Sequence, residues 1–110
     1  VSRDRGLRLQ NALAAYLRQW WPRAESAGSG RNGSDVLNTP GIVWECKTAR
    51  EFSPLAFVRQ AWTFSSELGM LPVVVYWPVG VGEKSANATL AIVPLGAMVE
   101  LLGKAGYGGE

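Results

Sequence analysis

The sequence predicts an α/β domain with one mixed five-stranded sheet flanked by helices, in the order αβββαββα. Three observations predict it. Apolar residues recur at helical spacing over residues 3–20, a pair of alternating strands flanks a tight turn around residues 35–47, and a continuous β-branched run spans residues 71–77. A second helical segment separates the last two. A helix between strands that share a core implies helices layered on a sheet. The chain has 110 residues, enough for one domain with a modest core. Residues 1–102 are expected to form that domain, and the glycine-rich stretch 103–110 a flexible tail.

The first helix follows from Leu9, Leu13, Tyr16, Leu17 and Trp20 on one stripe, with Ser2 able to cap its start and Pro22 stopping it. Gln10 sits at the edge of that stripe. It is either wetted by solvent or hydrogen-bonded to the neighbouring sheet, because a buried amide needs a partner. Residues 22–27 read as a short irregular strand, and Ser26 to Ser34 as a loop rich in glycine and hydroxyl side chains, with Arg31 at its tip. A short strand carrying Asp35, a turn over Asn38 to Gly41, and a longer strand from Ile42 follow. Ser53-Pro54 has the cap-then-proline pattern of a helix start, and Gly69 the pattern of a stop near residue 68. Leu55, Val58, Ala61, Trp62 and Ser65 form one stripe of that helix, and Phe57, Gln60 and Phe64 a second, as expected of a helix buried twice or half-buried at a partner interface. Leu71 to Trp77 is expected as a central strand, Pro78 to Asn87 as a loop, Thr89 to Val93 as another buried strand, and Pro94 to Leu102 as the last helix.

Composition narrows the chemistry. Hydrophobic residues make up 47% and charged residues 18% of the chain, which fits a globular protein. No apolar run approaches eighteen residues and no secretory pattern opens the chain, so no membrane partner and a cytoplasmic location are expected. Histidine is absent and Cys46 is the single cysteine, which excludes His-based triads, an internal disulfide and multi-Cys zinc sites. The net charge is only +2, yet its distribution is uneven: residues 1–60 hold nine Lys and Arg against five Asp and Glu. A basic half with seven of the eight arginines in its first fifty residues suits either a polyanionic partner or a solvated helix face.

The same half holds the pattern with the most chemistry. Asp35 is followed after nine residues by Glu45, and after one more by Lys47. Side chains alternate across a strand, so Ile42, Trp44 and Cys46 share one face and Val43, Glu45 and Lys47 the other. Two carboxylates on adjacent strands make a hard-oxygen site of the kind Mg²⁺ takes, with metal waters left for a phosphate and a nucleophile to replace. A neighbouring ammonium can hold or deprotonate the attacking water. Glu-x-Lys is also common on solvated strand edges, so spacing alone leaves both readings open.

The element order, with Asp35 and Glu45-Cys46-Lys47 on the second and third strands, resembles the PD-(D/E)xK nuclease superfamily, and within it the archaeal-type and phage Holliday-junction resolvases. Gly6-Leu7-Arg8-Leu9-Gln10 falls where those proteins carry a first-helix Gly-x-x-x-Glu, and Ser26 to Gly33 where they carry a Ser- and Gly-containing loop. The resemblance covers roughly residues 5–77. It implies a restriction-endonuclease-like fold and a Mg²⁺-dependent endodeoxyribonuclease, with Mn²⁺ able to substitute and no organic cofactor. It further implies a homodimer acting on four-way DNA junctions in a bacterial or phage-infected cytoplasm. Asp35, Glu45 and the Cys46 carbonyl would be metal ligands, Lys47 would orient the water, and Gln10 would stand where the resolvases have a glutamate. Arg3, Arg5, Arg8, Ser29, Arg31 and Arg50 would contact DNA. Phe57 and Phe64 are the candidate dimer surface. Two other readings share these residues: a repair or replication nuclease of the same fold, and a DNA-binding module that has lost turnover.

Overall fold

The computed structural model describes residues 2–28, 33–48, 53–59, 62 and 69–108, the first three of these by backbone only. Helix α1 (Ser2–Leu17) buries Leu9, Leu13, Ala14 and Leu17, the stripe expected from its period. It stops three residues short of Trp20. The amides of Trp20 and Trp21 both turn back onto the Leu17 carbonyl, at 3.0 and 2.9 Å, which tightens the chain ahead of Pro22. Trp20, expected on the buried stripe, is therefore 58% exposed. Trp21 goes inward in its place and meets Trp44 edge-on, with 6.2 Å between ring centroids.

The five strands among the described residues divide into two sheets rather than the single sheet expected. β1 (Glu25–Ser26) pairs antiparallel with β2 (Val36–Leu37). β3 (Ile42–Lys47) runs parallel to β4 (Leu71–Tyr76), which pairs antiparallel with β5 (Leu90–Ile92), so the larger sheet is mixed. The division has a local cause. On the edge of β3 that faces β2, the Trp44 amide donates to Ser34 Oγ at 2.9 Å and the Cys46 amide to Asp35 Oδ2 at 2.7 Å. Side chains thus take donors that a backbone ladder would have taken. One main-chain bond spans the seam there, from the Asp35 amide to the Trp44 carbonyl at 2.8 Å. The turn between β2 and β3 lies at Asn38 to Gly41 as expected. Asn38 and Gly41 both adopt positive φ, 67° and 84°, which these two residue types tolerate best.

A parallel pair needs a crossover. The chain from β3 to β4 contains helix α2, described over residues 54–59 and at residue 62, where the Phe57 amide bonds the Ser53 carbonyl at 3.1 Å as a Ser cap ahead of Pro54 requires. Trp44 and Val73 pair across β3 and β4, as do Cys46 and Val75, and this face packs with Trp77 against α1. The opposite face carries Val43 and Val74, both essentially inaccessible. β5 differs from the buried strand expected: Leu90 is 50% exposed, because β5 is the edge of its sheet. Trp77 is fully buried, and its indole N–H is shared between the Val81 and Gly82 carbonyls at 3.0 and 3.3 Å. That anchors the following loop, in which a 3-10 segment (Glu83–Ala88) packs on α1.

Helix α3 (Leu95–Lys104) extends two residues past Leu102. Gly106 ends it in the left-handed region (φ 99°), while the Tyr107 amide reaches the Leu102 carbonyl at 3.0 Å and the Gly106 amide the Gly103 carbonyl at 3.1 Å. This is the paired reverse bonding that closes helices with a terminal glycine. No described helix is long and apolar enough to cross a membrane.

Candidate active site

The site forms where the β2/β3 seam opens, at the C-terminal end of β3. Period-two alternation on β3 puts Glu45 and Lys47 on one face, and their side chains meet at 3.2 Å between Glu45 Oε2 and Lys47 Nζ. Asp35 enters from the residue just before β2, held by the 2.7 Å bond from the Cys46 amide to its Oδ2. Its charge reaches both Glu45 and Lys47. The two carboxylates and the ammonium singled out from the spacing are thus gathered into one cluster.

Gln10 arrives from α1, which packs on β1, β2 and β3. It is only 9% exposed, so the hydrogen-bonded alternative describes it and the solvated one does not. Its carbonyl Oε1 accepts from Ser26 Oγ at 2.7 Å, and Ser26 Oγ accepts in turn from the Gly28 amide at 3.2 Å. Its side chain also favours the charged form of the Asp35 carboxylate, less than the Cys46 amide and Lys47 do.

The electrostatics of the cluster follow from its burial. Desolvation pushes the Asp35 carboxyl above its ordinary value, against the Cys46 amide, Lys47 and Gln10, which pull it down. Burial also raises Glu45, and the Asp35 charge adds to that, while Lys47 opposes both. Burial, then the two carboxylates, push the Cys46 thiol up to about 12, so it stays protonated and is no nucleophile.

Among the described residues, no three carboxylate, thiol or imidazole groups converge. The donor set is two carboxylates plus a main-chain carbonyl. In a strand the N–H and C=O of one residue point to the same edge. The Cys46 amide bonds Asp35, so the Cys46 carbonyl also projects from the Asp35 edge of β3. All of these donors are hard oxygens, which fits a Mg²⁺ ion retaining several waters better than a softer metal.

The arginines expected at DNA divide into three groups. Arg5 lies beside the cluster, its Nε donating to Thr48 Oγ1 at 3.3 Å, one residue past Lys47. Arg8 instead forms an exposed ion pair with Glu83 of the 3-10 segment, at 3.2 Å. The Arg3 side chain, Ser29, Arg31 and Arg50 lie outside the described residues. So does Phe64, while Phe57 is half-buried under the Lys47 ammonium, which stands 5.7 Å from its ring centroid. Attraction of the ammonium to the face of the aromatic ring restrains its reach.

Sequence reasoning missed Ser26, Ser34 and Phe57 as members of this site. A hydroxyl immediately before Asp35 was a usable signal. The Ser26–Gln10 and Phe57–Lys47 contacts join separate elements and leave no local pattern. A surface depression of about 600 Å³, lined in part by Gly41, Trp62, Met70 and Leu71, lies at the opposite, N-terminal end of β3 and β4 and takes no part in the cluster. No protein-family model, no curated protein and no solved structure matches the chain.

Proposed function

We propose that the chain is a divalent-metal-dependent endonuclease with the restriction-endonuclease-like arrangement of the PD-(D/E)xK group. Its proposed substrate is branched DNA, four-way junctions above all, cut by phosphodiester hydrolysis as a homodimer. One observation carries the reading: Asp35, from the residue ahead of β2, and Glu45, from β3, share a half-buried cluster with Lys47. A solvated strand edge would leave Glu45 and Lys47 in water and give Asp35 no reason to be anchored on the Cys46 amide.

Asp35, Glu45 and the Cys46 carbonyl would hold the metal. When bound it lowers the pKa of a water and offsets charge on a phosphate oxygen. Lys47 brings an ammonium whose direction is set by Glu45 on one side and the Phe57 ring on the other. There it stabilises the charge that grows on the phosphate as the water oxygen bonds phosphorus and the opposite P–O bond breaks. Arg5 flanks this point and is placed to hold a neighbouring phosphate without reading bases.

A second reading, a DNA-binding module without turnover, is favoured by the amide at position 10, which adds no negative charge for a metal. Labelled four-way junction and linear duplex, each with Mg²⁺ or chelator, separate the two. Metal-dependent nicking of the junction that Glu45→Gln abolishes supports the enzyme. Tight junction binding without any nicking supports the binding module. Equal cutting of both substrates supports a general nuclease, and a sedimenting monomer counts against paired cuts.

A further inference from the structure

The hydrogen-bonded chain from the Gly28 amide to Gln10 has a single direction. Gly28 N–H donates to Ser26 Oγ and Ser26 O–H donates to Gln10 Oε1, while the Asp35 carboxylate receives the Cys46 N–H and lies within the influence of the Gln10 side chain. A glutamine amide has one acceptor oxygen and two N–H donors. Because Ser26 occupies the oxygen, the end of Gln10 that is left to face Asp35 is its NH₂ group. The position is 9% exposed, so bulk water is a poor substitute for either contact.

We infer that Gln10 is a positioning residue that assembles the metal site before any metal arrives: its amide, oriented by Ser26, takes the place of a cation beside Asp35. This rests on the nuclease reading for the identity of the ion, though not for the hydrogen-bonded chain itself. Gln10 therefore contributes no charge to the ion and spends its carbonyl on Ser26. The donor set stays at two carboxylates and one carbonyl, and affinity for the ion is correspondingly modest. A carboxylate at position 10 reverses both properties. Without metal it would place a third negative charge beside Asp35 and Glu45 and remove the donor that Asp35 uses. With metal it would supply a further anionic oxygen, and ligand charge is a main control on affinity at such sites.

The test uses the intact chain with Mn²⁺ as the probe ion. Thermal melts in chelator and in excess Mn²⁺, together with calorimetric titration, are run on wild type, Gln10→Glu, Ser26→Ala and Ser26→Thr. The wild type is expected to melt modestly higher in excess Mn²⁺ than in chelator, because the ion binds only the folded site. Gln10→Glu should melt lower in chelator, recover in Mn²⁺, and bind Mn²⁺ about tenfold more tightly or better. Ser26→Ala frees the amide to turn, so it should raise the Mn²⁺ dissociation constant while Ser26→Thr, which keeps the hydroxyl, restores it. A general packing defect would lower both melts equally and leave the difference between them unchanged. Equal chelator melts for wild type and Gln10→Glu, or an unchanged Mn²⁺ affinity in that variant, would overturn the inference. Failure of every variant to bind Mn²⁺ would instead remove the metal-dependent reading, and the chelator melts would still decide whether Gln10 holds Asp35.

Discussion

Asp35 does two jobs that two substitutions separate. Its Oδ2 accepts the Cys46 amide at 2.7 Å on an edge where β3 has no backbone partner for that donor. Asp35→Asn keeps an acceptor oxygen of the same size in the same place and removes the charge. Asp35→Ala removes both. A half-buried N–H left without a partner costs about 1–3 kcal/mol, and a neutral bond in place of a charged one costs only a fraction of that. Against this, Asp35→Asn relieves the burial of an anion whose pKa burial has raised. The asparagine variant should therefore match or exceed the wild type in chelator, and the alanine variant should fall about 1–3 kcal/mol below it. For a domain near this size that is a drop in Tm of roughly 4 °C or more per kcal/mol. Urea denaturation followed by circular dichroism reads the difference, and junction cleavage in Mg²⁺ should be lost in both variants. Equal stability of the two would refute the role assigned to the Cys46 bond. Retained cleavage by Asp35→Asn would remove Asp35 from the chemistry.

Other outcomes follow from the same geometry. Lys47→Met keeps the packing on Phe57 but drops the ammonium, so nicking should stop while junction binding in a gel-shift assay survives; full activity would excuse Lys47. Glu83→Ala breaks an exposed ion pair and should cost well under about 1 kcal/mol. It also frees Arg8, so junction affinity should rise and the salt slope steepen by about one if Arg8 then meets a phosphate; an unchanged slope removes Arg8 from the interface. Trp77→Phe leaves the Val81 and Gly82 carbonyls without their shared donor and should cost about 1–3 kcal/mol in denaturant melts. The raised carboxyls fix the sign of a pH effect. Their contribution to metal-free stability is fully present below the ordinary carboxylate range and is lost as pH rises through the raised folded values. In chelator the stability of wild type relative to Asp35→Asn should thus decline with rising pH, whereas stabilisation by Mg²⁺ should grow over the same window.

The parts of the fold written in local spacing were legible. Helix α1's buried stripe, the Asn38 to Gly41 turn and the shared face of Glu45 and Lys47 each follow from a period or from a residue type that tolerates positive φ. What failed depended on which element meets which. Alternation marks Asp35 and Val36 as extended, but it does not say that Asp35 would bond an amide on β3 through its side chain and so divide the sheet. The helical period admits Trp20 to the stripe, yet the chain leaves the helix at Leu17 and turns Trp21 inward. β5 reads as buried by its composition, although its place at a sheet edge exposes Leu90. At the site, the charged members were visible as a motif, and the neutral ones were not. Ser26 and Gln10 are sixteen positions apart and meet only because α1 packs on β1.

The seam between β2 and β3 makes the separation of Asp35 from Glu45 a soft coordinate. Asp35 stands just ahead of the two-residue β2 and Glu45 on β3, and what ties β2 to β3 on that edge is one main-chain bond and two side-chain acceptors. A strand-to-strand ladder breaks cooperatively, whereas a few isolated bonds can open alone and at lower cost. Mild denaturant or warming can therefore unzip the seam while both sheets and α1 still give native circular dichroism. Loss of function would then precede loss of structure, and sequence drift confined to Ser34 and Asp35 would silence the protein without unfolding it.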